Sequence, residues 1–385
     1  MQSTIFLQSE VADPYKIYAQ QLMGNPVVWD DVNNLWVVYS YEACEFILKN
    51  SCAQIPVTDN TGFNEYALAI KSKLTRLSNY PHHETARTAA MILFQTMRQA
   101  NIQDILNNLI VEEINSNEID WVNAVCKKLP VLSILKSFQF NADDCNFITV
   151  TIEQLVKILQ PKQSSENIAS INSISWEVYC RVETHMLTTA FLKEVLKEII
   201  ATVKQTEEEV IRICVSNLIG LLMQSYDAGR GALSNSLLHF LLNENLSSVE
   251  IGDKKYLQKC VIETLRFNPP VHNTRRIAAE NILVNYVTIE KGRQIFLVLA
   301  AANRDPRQFE NPHQFNIERN NNATLLTFGS GAHSCPAKYF TIDLVSEAMH
   351  FLFQKYTTIH LLTGKIEYEP LINLRLPKNI LISLS

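Results

Sequence analysis

Apolar residues recur every three to four positions over long stretches of this chain and alternate over only a few short ones. Glu207–Leu242 carries Val210, Cys214, Asn217, Leu218, Leu221 and Leu222 at helical spacing, which predicts one long amphipathic helix. Lys254–Phe267 reads as a further helix that stops at Pro269-Pro270, since the residue before a proline is driven out of the helical region. A last long helix is predicted over Pro336–Phe353, with Pro336 in the first turn and Phe340, Leu344, Ala348 and Leu352 as its stripe. Near the start, Asp13-Pro14-Tyr15 opens a short helix, Val27–Trp29 and Trp36–Val38 read as strands, and Tyr41–Leu48 as a second helix. Strand-like segments return at Ile282–Val287 and Gln294–Leu299. No proline falls between Pro161 and Pro269, and helical periodicity recurs there. Residues 53–80, with Pro56, Asn60, Thr61 and Gly62, predict a long loop holding a short helix, a length uncommon unless functional. Residues 303–322 predict an irregular stretch. The expected class is mainly α with minor β. Length sets a prior of about two or three domains, but no repeat, low-complexity tract or Ser/Gly linker divides the chain, so one domain over 1–385 is expected.

Composition narrows the function. Hydrophobic residues are 47% and charged residues 19%, enough for a large core and too little charge for a disordered chain. With 34 Lys+Arg against 39 Asp+Glu, 34 − 39 = −5, a basic nucleic-acid-binding protein is not expected. No apolar run approaches the ~18 residues that span a bilayer. The first ten residues lack the basic and long apolar regions of a signal peptide. A soluble, cytoplasmic monomer is expected. None of the eight cysteines forms a CxxC or has zinc-site spacing, so most are expected to be small buried hydrophobes, Cys335 excepted. Glycine is scarce, at 10 residues, yet Gly229/Gly231 and Gly329/Gly331 come in pairs. The first pair lies inside the predicted long helix, where each glycine costs roughly 1 kcal/mol relative to alanine. A kink, or a backbone approached closely by another group, is expected there.

The candidate chemistry sits in Phe328-Gly-Ser-Gly-Ala-His-Ser-Cys335, directly before the last predicted helix. A turn that presents a cysteine ahead of a helix N-terminus favours a thiolate, which suits an axial ligand for haem iron. This segment resembles the haem-binding loop of the cytochrome P450 superfamily, Phe-x-x-Gly-x-His/Arg-x-Cys-x-Gly. Phe328, Gly331, His333 and Cys335 match it, Gly329 lies within it, and Ala337 replaces its final glycine. Glu263-Thr-Leu-Arg266 resembles the family's ExxR, closed into a structural triad by a later arginine at the position of Arg319. His83-x-x-x-Arg87 and Arg276 resemble residues that, with His333, hold the haem propionates in the family. Ala302-Asn303-Arg304-Asp305-Pro306 matches a stretch common in bacterial members. The resemblance implies the cytochrome P450 fold. Haem b would lie between the I helix, here Glu207–Leu242, and the cysteine loop with its L helix.

The sequence departs from the family where dioxygen is activated. The family's I helix has Ala-Gly-x-Asp/Glu-Thr, an acid–alcohol pair that relays protons. Here the segment reads Gln224-Ser-Tyr-Asp227-Ala228-Gly229-Arg230-Gly231-Ala232. An ungapped count from Glu263 places Asp227 at the acid and Ala228 at the alcohol; the alternative places Gly231 and Ala232 there. Either way the alcohol is alanine, which relays no proton. Substrate could supply the hydroxyl; Ser225, Tyr226 or water could substitute; or the enzyme could bypass dioxygen. Arg230 is either solvated or turned to the pocket, where it would bind a carboxylate or phosphate. His272 and Asn273 would form a polar wall of the substrate pocket, unless they serve propionates or backbone.

These resemblances imply a haem-thiolate monooxygenase that hydroxylates a polar small molecule or natural-product intermediate. Electrons would come from a separate ferredoxin or flavodoxin system. Peroxide-driven oxidation, coupling, desaturation or dehydration, and a catalytically silent haem-binding module, remain as alternatives. A carrier-protein-tethered substrate is compatible with all of them.

Overall fold

The computed structural model describes residues 5–160, 163–242 and 252–385. The helices are, in chain order, α1 (Pro14–Met23), α2 (Tyr41–Lys49), α3 (Glu65–Lys73), α4 (His82–Gln95), α5 (Ile102–Glu113), α6 (Leu129–Ser137), α7 (Ala142–Leu155), α8 (Ser165–Thr188), α9 (Ala190–Val203), α10 (Glu207–Leu242), α11 (Lys254–Phe267), α12 (Leu299–Ala302) and α13 (Lys338–Lys355). The strands are β1 (Val27–Asp30), β2 (Leu35–Val38), β3 (Ala53–Gln54), β4 (Glu118–Asp120), β5 (Thr274–Ala278), β6 (Ile282–Val284), β7 (Val287–Ile289), β8 (Gln294–Leu297), β9 (Ile359–Leu361) and β10 (Leu381–Leu384). The class is mainly α with minor β, as the periodicity predicts. Internal contacts divide the chain into two units, and the division cuts α10 between Tyr226 and Asp227.

The first unit comprises Met1–Pro56, Ile102–Lys127 and Asp227–Ser385. Its main sheet has the order β1-β2-β8-β5-β3, with β2 and β8 parallel and the other neighbours antiparallel. Successive side chains of a strand point to opposite faces, and Val37 and Val38 are both fully buried. The sheet is therefore covered on both sides. Val38, Ile295 and Leu297 pack with Cys44 and Ile47 of α2, while Val37 and Phe296 pack with Tyr18 of α1. α1 starts as its sequence dictates, with Asp13 accepting from the Tyr15 N–H and Pro14 at the first position. Strand β10 pairs with β4 and β9, and α13 packs on α11 and α5.

The second unit comprises Val57–Asn101 and Lys128–Tyr226. Here α3, capped by Asn64, packs on α8, and α8 packs on α7 and α9. Asn217 interrupts the apolar stripe of α10 for a reason the stripe does not reveal. Its Oδ1 accepts from the Thr75 N–H and hydroxyl, and its Nδ2 donates to the Lys73 carbonyl. That ties the turn after α3 to the helix.

The structure corrects several expected boundaries. Ile282–Val287 is not one strand: Asn285 and Tyr286, at φ 47° and 68°, form a two-residue reversal between β6 and β7. Two successive left-handed residues match the twist of a hairpin, but Asn-Tyr lacks the glycine that marks such a turn in sequence. The last helix starts at Lys338, with Ala337 as its cap, so Pro336 lies before it. The segment after Gln294–Leu297 turns into α12. Helices α4–α7, the short strands β3, β4, β9 and β10, and β5 of the main sheet go beyond the expectation. α10 runs unbroken through its glycine pair. A Cβ on Gly231 would lie 2.3 Å from the Pro270 Cβ and 2.6 Å from the Leu376 Cδ2. Close approach, not a kink, explains that glycine.

Candidate functional site

The cysteine loop lies in the first unit. Gly329 (φ 68°, ψ −169°) takes a conformation open essentially to glycine alone. Gly331, at φ 71°, has no room for a side chain either: its Cβ would stand 2.7 Å from the Leu48 carbonyl oxygen at the end of α2. The Cys335 N–H donates to the Phe328 carbonyl at 2.8 Å and closes the turn. Cys335 is the exposed cysteine; Cys44, Cys126, Cys145, Cys214 and Cys260 are buried, and Cys52 and Cys180 are partly so. Burial pushes the Cys214 thiol up to about 12, so it stays protonated and inert, as expected of a buried cysteine. A single thiol presented on a rigid turn, three residues before α13, fits the axial ligation of a haem iron.

Behind the loop, Glu263 and Arg266 of α11 are both fully buried. Arg266 donates from Nε (2.8 Å) and Nη2 (2.7 Å) to the Glu263 carboxylate. Its remaining N–H groups reach the carbonyls of Asn303, Pro312 and Gln314. All five guanidinium donors are thus used, the condition under which a buried ion pair is tolerated. The Arg319 Nε donates to Glu263 Oε1 at 3.1 Å and completes the triad.

The Ala302–Pro306 stretch turns out to be the fastening for this network. Asn303 Oδ1 accepts from the Leu326 N–H, and its Nδ2 donates to Thr327 just before the cysteine loop. Asp305 caps α2 by accepting from the Tyr41 N–H at 2.9 Å. α2 is the helix against which Gly331 packs. Sequence matching marked the stretch without revealing these contacts.

On α10, Asp227 and Ala228 are half-buried, whereas Ala232 is completely buried. The Ser225 hydroxyl donates to the Leu222 carbonyl of its own helix. Arg276, on β5, is buried and donates to the Arg275 carbonyl at 2.8 Å. His333 is half-buried within the loop. In the second unit, His83 and Arg87 stand one turn apart on α4. Burial first, then the Arg87 charge, pull His83 below its usual value.

Three residues offered for substrate have other work. Arg230 is neither solvated nor open to a ligand: it is buried and donates to Glu369 at 2.6 Å and to the Pro377 carbonyl at 2.8 Å. His272 is fully buried, with Nδ1 3.1 Å from the Tyr18 hydroxyl. Burial, then Arg375 and Arg304, hold it well below the usual histidine value. Asn273 donates to the Ile372 carbonyl at 2.9 Å. A buried polar group must find partners, and all three find them within the protein.

Comparison with known proteins places the chain. Residues 240–380 match the Cytochrome P450 family model. A biotin biosynthesis cytochrome P450 of Bacillus subtilis (strain 168) is 24% identical over 356 residues, covering 88% of this chain and 88% of the relative. Pulcherriminic acid synthase of the same organism is 28% identical over 153 residues, covering 37% of this chain and 38% of the relative. The solved structure of P450BioI, in complex with hexadec-9Z-enoic acid ligated acyl carrier protein, superposes with a TM-score of 0.85 at 21% identity over 98% of this chain and 100% of that one. The family match over residues 240–380, the relatives and the fold agree with the Cys335 turn and the buried triad: over that part the chain is similar to the cytochrome P450 family, whose members are haem-binding oxidoreductases and mostly monooxygenases, and its fold is that of a P450 chain.

Proposed function

We propose that this chain is a cytoplasmic monooxygenase with Cys335 as the axial haem ligand, acting on an intermediate of a biosynthetic pathway with electrons from a ferredoxin or flavodoxin. The observation that carries the reading is Cys335 itself, an exposed cysteine on a turn fixed by Gly329 and Gly331 ahead of α13. Bound haem supplies the one-electron and dioxygen chemistry. In this reading His83, Arg87, Arg276 and His333 neutralise the two propionates, as the family resemblance assigns them. Residues 1–385 act as one domain, a reading supported by the match of nearly the whole chain to one P450 chain. The names of the two Bacillus relatives support a biosynthetic substrate. Substrate polarity has lost its support, because His272 and Asn273 are engaged within the protein.

Asp227 would hold and move the proton on α10, with Ala228 in the alcohol position. The burial pattern supports that register: Gly231 and Ala232 are sealed by protein, while Asp227 and Ala228 are not. Ala228 offers no hydroxyl, so substrate or water completes the relay. Ala228→Thr then changes the ratio of product formed to electrons consumed, while Ala232→Thr chiefly costs stability. A peroxide-driven enzyme would instead turn over with peroxide alone, and Ala228→Thr would leave its product yield unchanged.

The deciding experiment is the carbon monoxide difference spectrum of the dithionite-reduced protein. Thiolate ligation gives the band that names the family, and Cys335→His moves it to the shorter wavelength of imidazole ligation. An unchanged band in the variant would remove Cys335 from the site. P450BioI is recorded with an acyl carrier protein, which favours a carrier-bound substrate as a second reading. Turnover of an acyl group on its carrier, with none of the free acid, would select it.

A further inference from the structure

A cavity of about 210 Å³ in the first unit belongs to none of the residues assigned above. Its lining includes Asp13 and Tyr15 at the start of α1, His239 near the end of α10, Asn268 after α11, and the two arginines Arg304 and Arg375. Both arginines are buried. Arg304 lies between two rings, 3.5 Å from the Tyr15 centroid and 3.7 Å from that of Phe267, and donates from Nε and Nη2 to the Phe267 carbonyl. Arg375 stacks 3.6 Å over Tyr368 and donates to the carbonyls of Gln8, Val11 and Ala12. Neither guanidinium has a carboxylate partner among the described residues, and Arg304 Nη1 and Arg375 Nε have no acceptor there. His239 Nε2 is buried and also without a partner among the described residues.

The charge does not balance. Asp13 is the one acid in the lining, and its Oδ1 already accepts from the Tyr15 N–H to cap α1. Two cations face one carboxylate, whose charge acts on Arg304, so one positive charge in the lining is left over. Carbonyls and rings solvate a guanidinium but do not cancel its charge, and a buried charge without a counter-ion is costly. The strain on ionisation is visible: burial pulls Arg304 down to about 10, and burial with the Arg304 charge pulls His239 down to about 4. Elsewhere in this unit two other buried arginines, Arg230 and Arg266, each have a glutamate. Arg304 and Arg375 instead share a cavity too small for a drug-sized ligand and large enough for a small anion.

We propose that this cavity is a binding site for a small oxyanion, a phosphate or carboxylate group held by Arg304 and Arg375 with His239 as a third polar contact. The test is a calorimetric titration of the haem-loaded protein with inorganic phosphate and, separately, acetate, with chloride holding ionic strength constant. The unfolding midpoint is followed at the same time. Saturable binding of either anion, with a midpoint that rises and levels off, supports the site; which anion saturates tells the phosphate class from the carboxylate class. A linear, non-saturating rise is the general effect of excluded salts and overturns it. Arg375→Gln weakens binding by more than about tenfold. Arg375 also holds the chain at Gln8–Ala12, so a second variant guards against misfolding. Asn268→Asp keeps the acceptor for the Tyr15 hydroxyl and places a carboxylate on the wall. It supplies the missing counter-ion, so anion dependence disappears while the protein stays folded. An Asn268→Asp protein that binds phosphate or acetate as the parent does would refute the proposal.

Discussion

At the scale of the residue, this protein is governed by how buried charge is compensated. Glu263 is fully buried and accepts from two arginines and from the Asn316 N–H. Glu263→Gln leaves Arg266 buried with too few anionic partners, which costs about 3–5 kcal/mol. Urea unfolding should show that loss, and haem incorporation should fall with it; a loss below about 1 kcal/mol would mean the network is wet. His239 gives the opposite case, a histidine whose folded value, about 4, lies below the ordinary 6.5. The unfolded chain then takes up a proton first as pH falls. Stability from this group is complete above about pH 6.5 and is lost toward acid, with a slope of up to about 1.4 kcal/mol per pH unit. His239→Gln should flatten the acid limb of stability between about pH 6.5 and pH 4 and change little at neutral pH. An unchanged acid limb would count against the burial of this ring.

At the scale of the element, close backbone approach decides which glycines are needed. Gly231 sits where α10 meets Pro270 and Leu376, and an added methyl would overlap both. Gly231→Ala is expected to cost about 1–3 kcal/mol through overpacking, despite alanine's better helix propensity. Gly364, with open space around its Cα, should accept alanine with less than about 0.5 kcal/mol of change. Comparing the two in one denaturation series separates packing from propensity. The helix ends show the same dependence on neighbours. Asp305→Ala removes the cap of α2, worth about 0.5–2 kcal/mol, and loosens the helix that backs Gly331.

At the scale of the whole molecule, a bound cofactor and the fold stabilise each other. A group that binds only the folded chain raises its stability by mass action. Stripping the haem should therefore lower the thermal midpoint. Cys335→Ala should shrink the difference between loaded and stripped protein. Equal midpoints with and without haem would mean that Cys335 and its turn are formed but do not anchor the group. No helix among the described residues is long and apolar enough to cross a membrane, in keeping with a chain whose apolar runs are short.

The sequence by itself determined the long helices, the cysteine turn, the Glu263–Arg266 pair and the family resemblance. The reason is that each is local: a period of 3.6, a glycine that only one backbone conformation requires, an i, i+3 pair on one helix face. Tertiary structure alone decided the rest. Arg230, His272 and Asn273 read as pocket residues because polarity in a variable segment suggests a ligand, yet each answers a carbonyl, carboxylate or hydroxyl more than 95 residues away. The β6–β7 reversal escaped notice because its turn carries Asn-Tyr, and Asn303 and Asp305 because their partners lie on other elements. The unbalanced Arg304–Arg375 pair is the same lesson in charge. Those two arginines lie far apart in the chain, and nothing in the order of the residues says that they share a cavity or that no carboxylate among the described residues joins them.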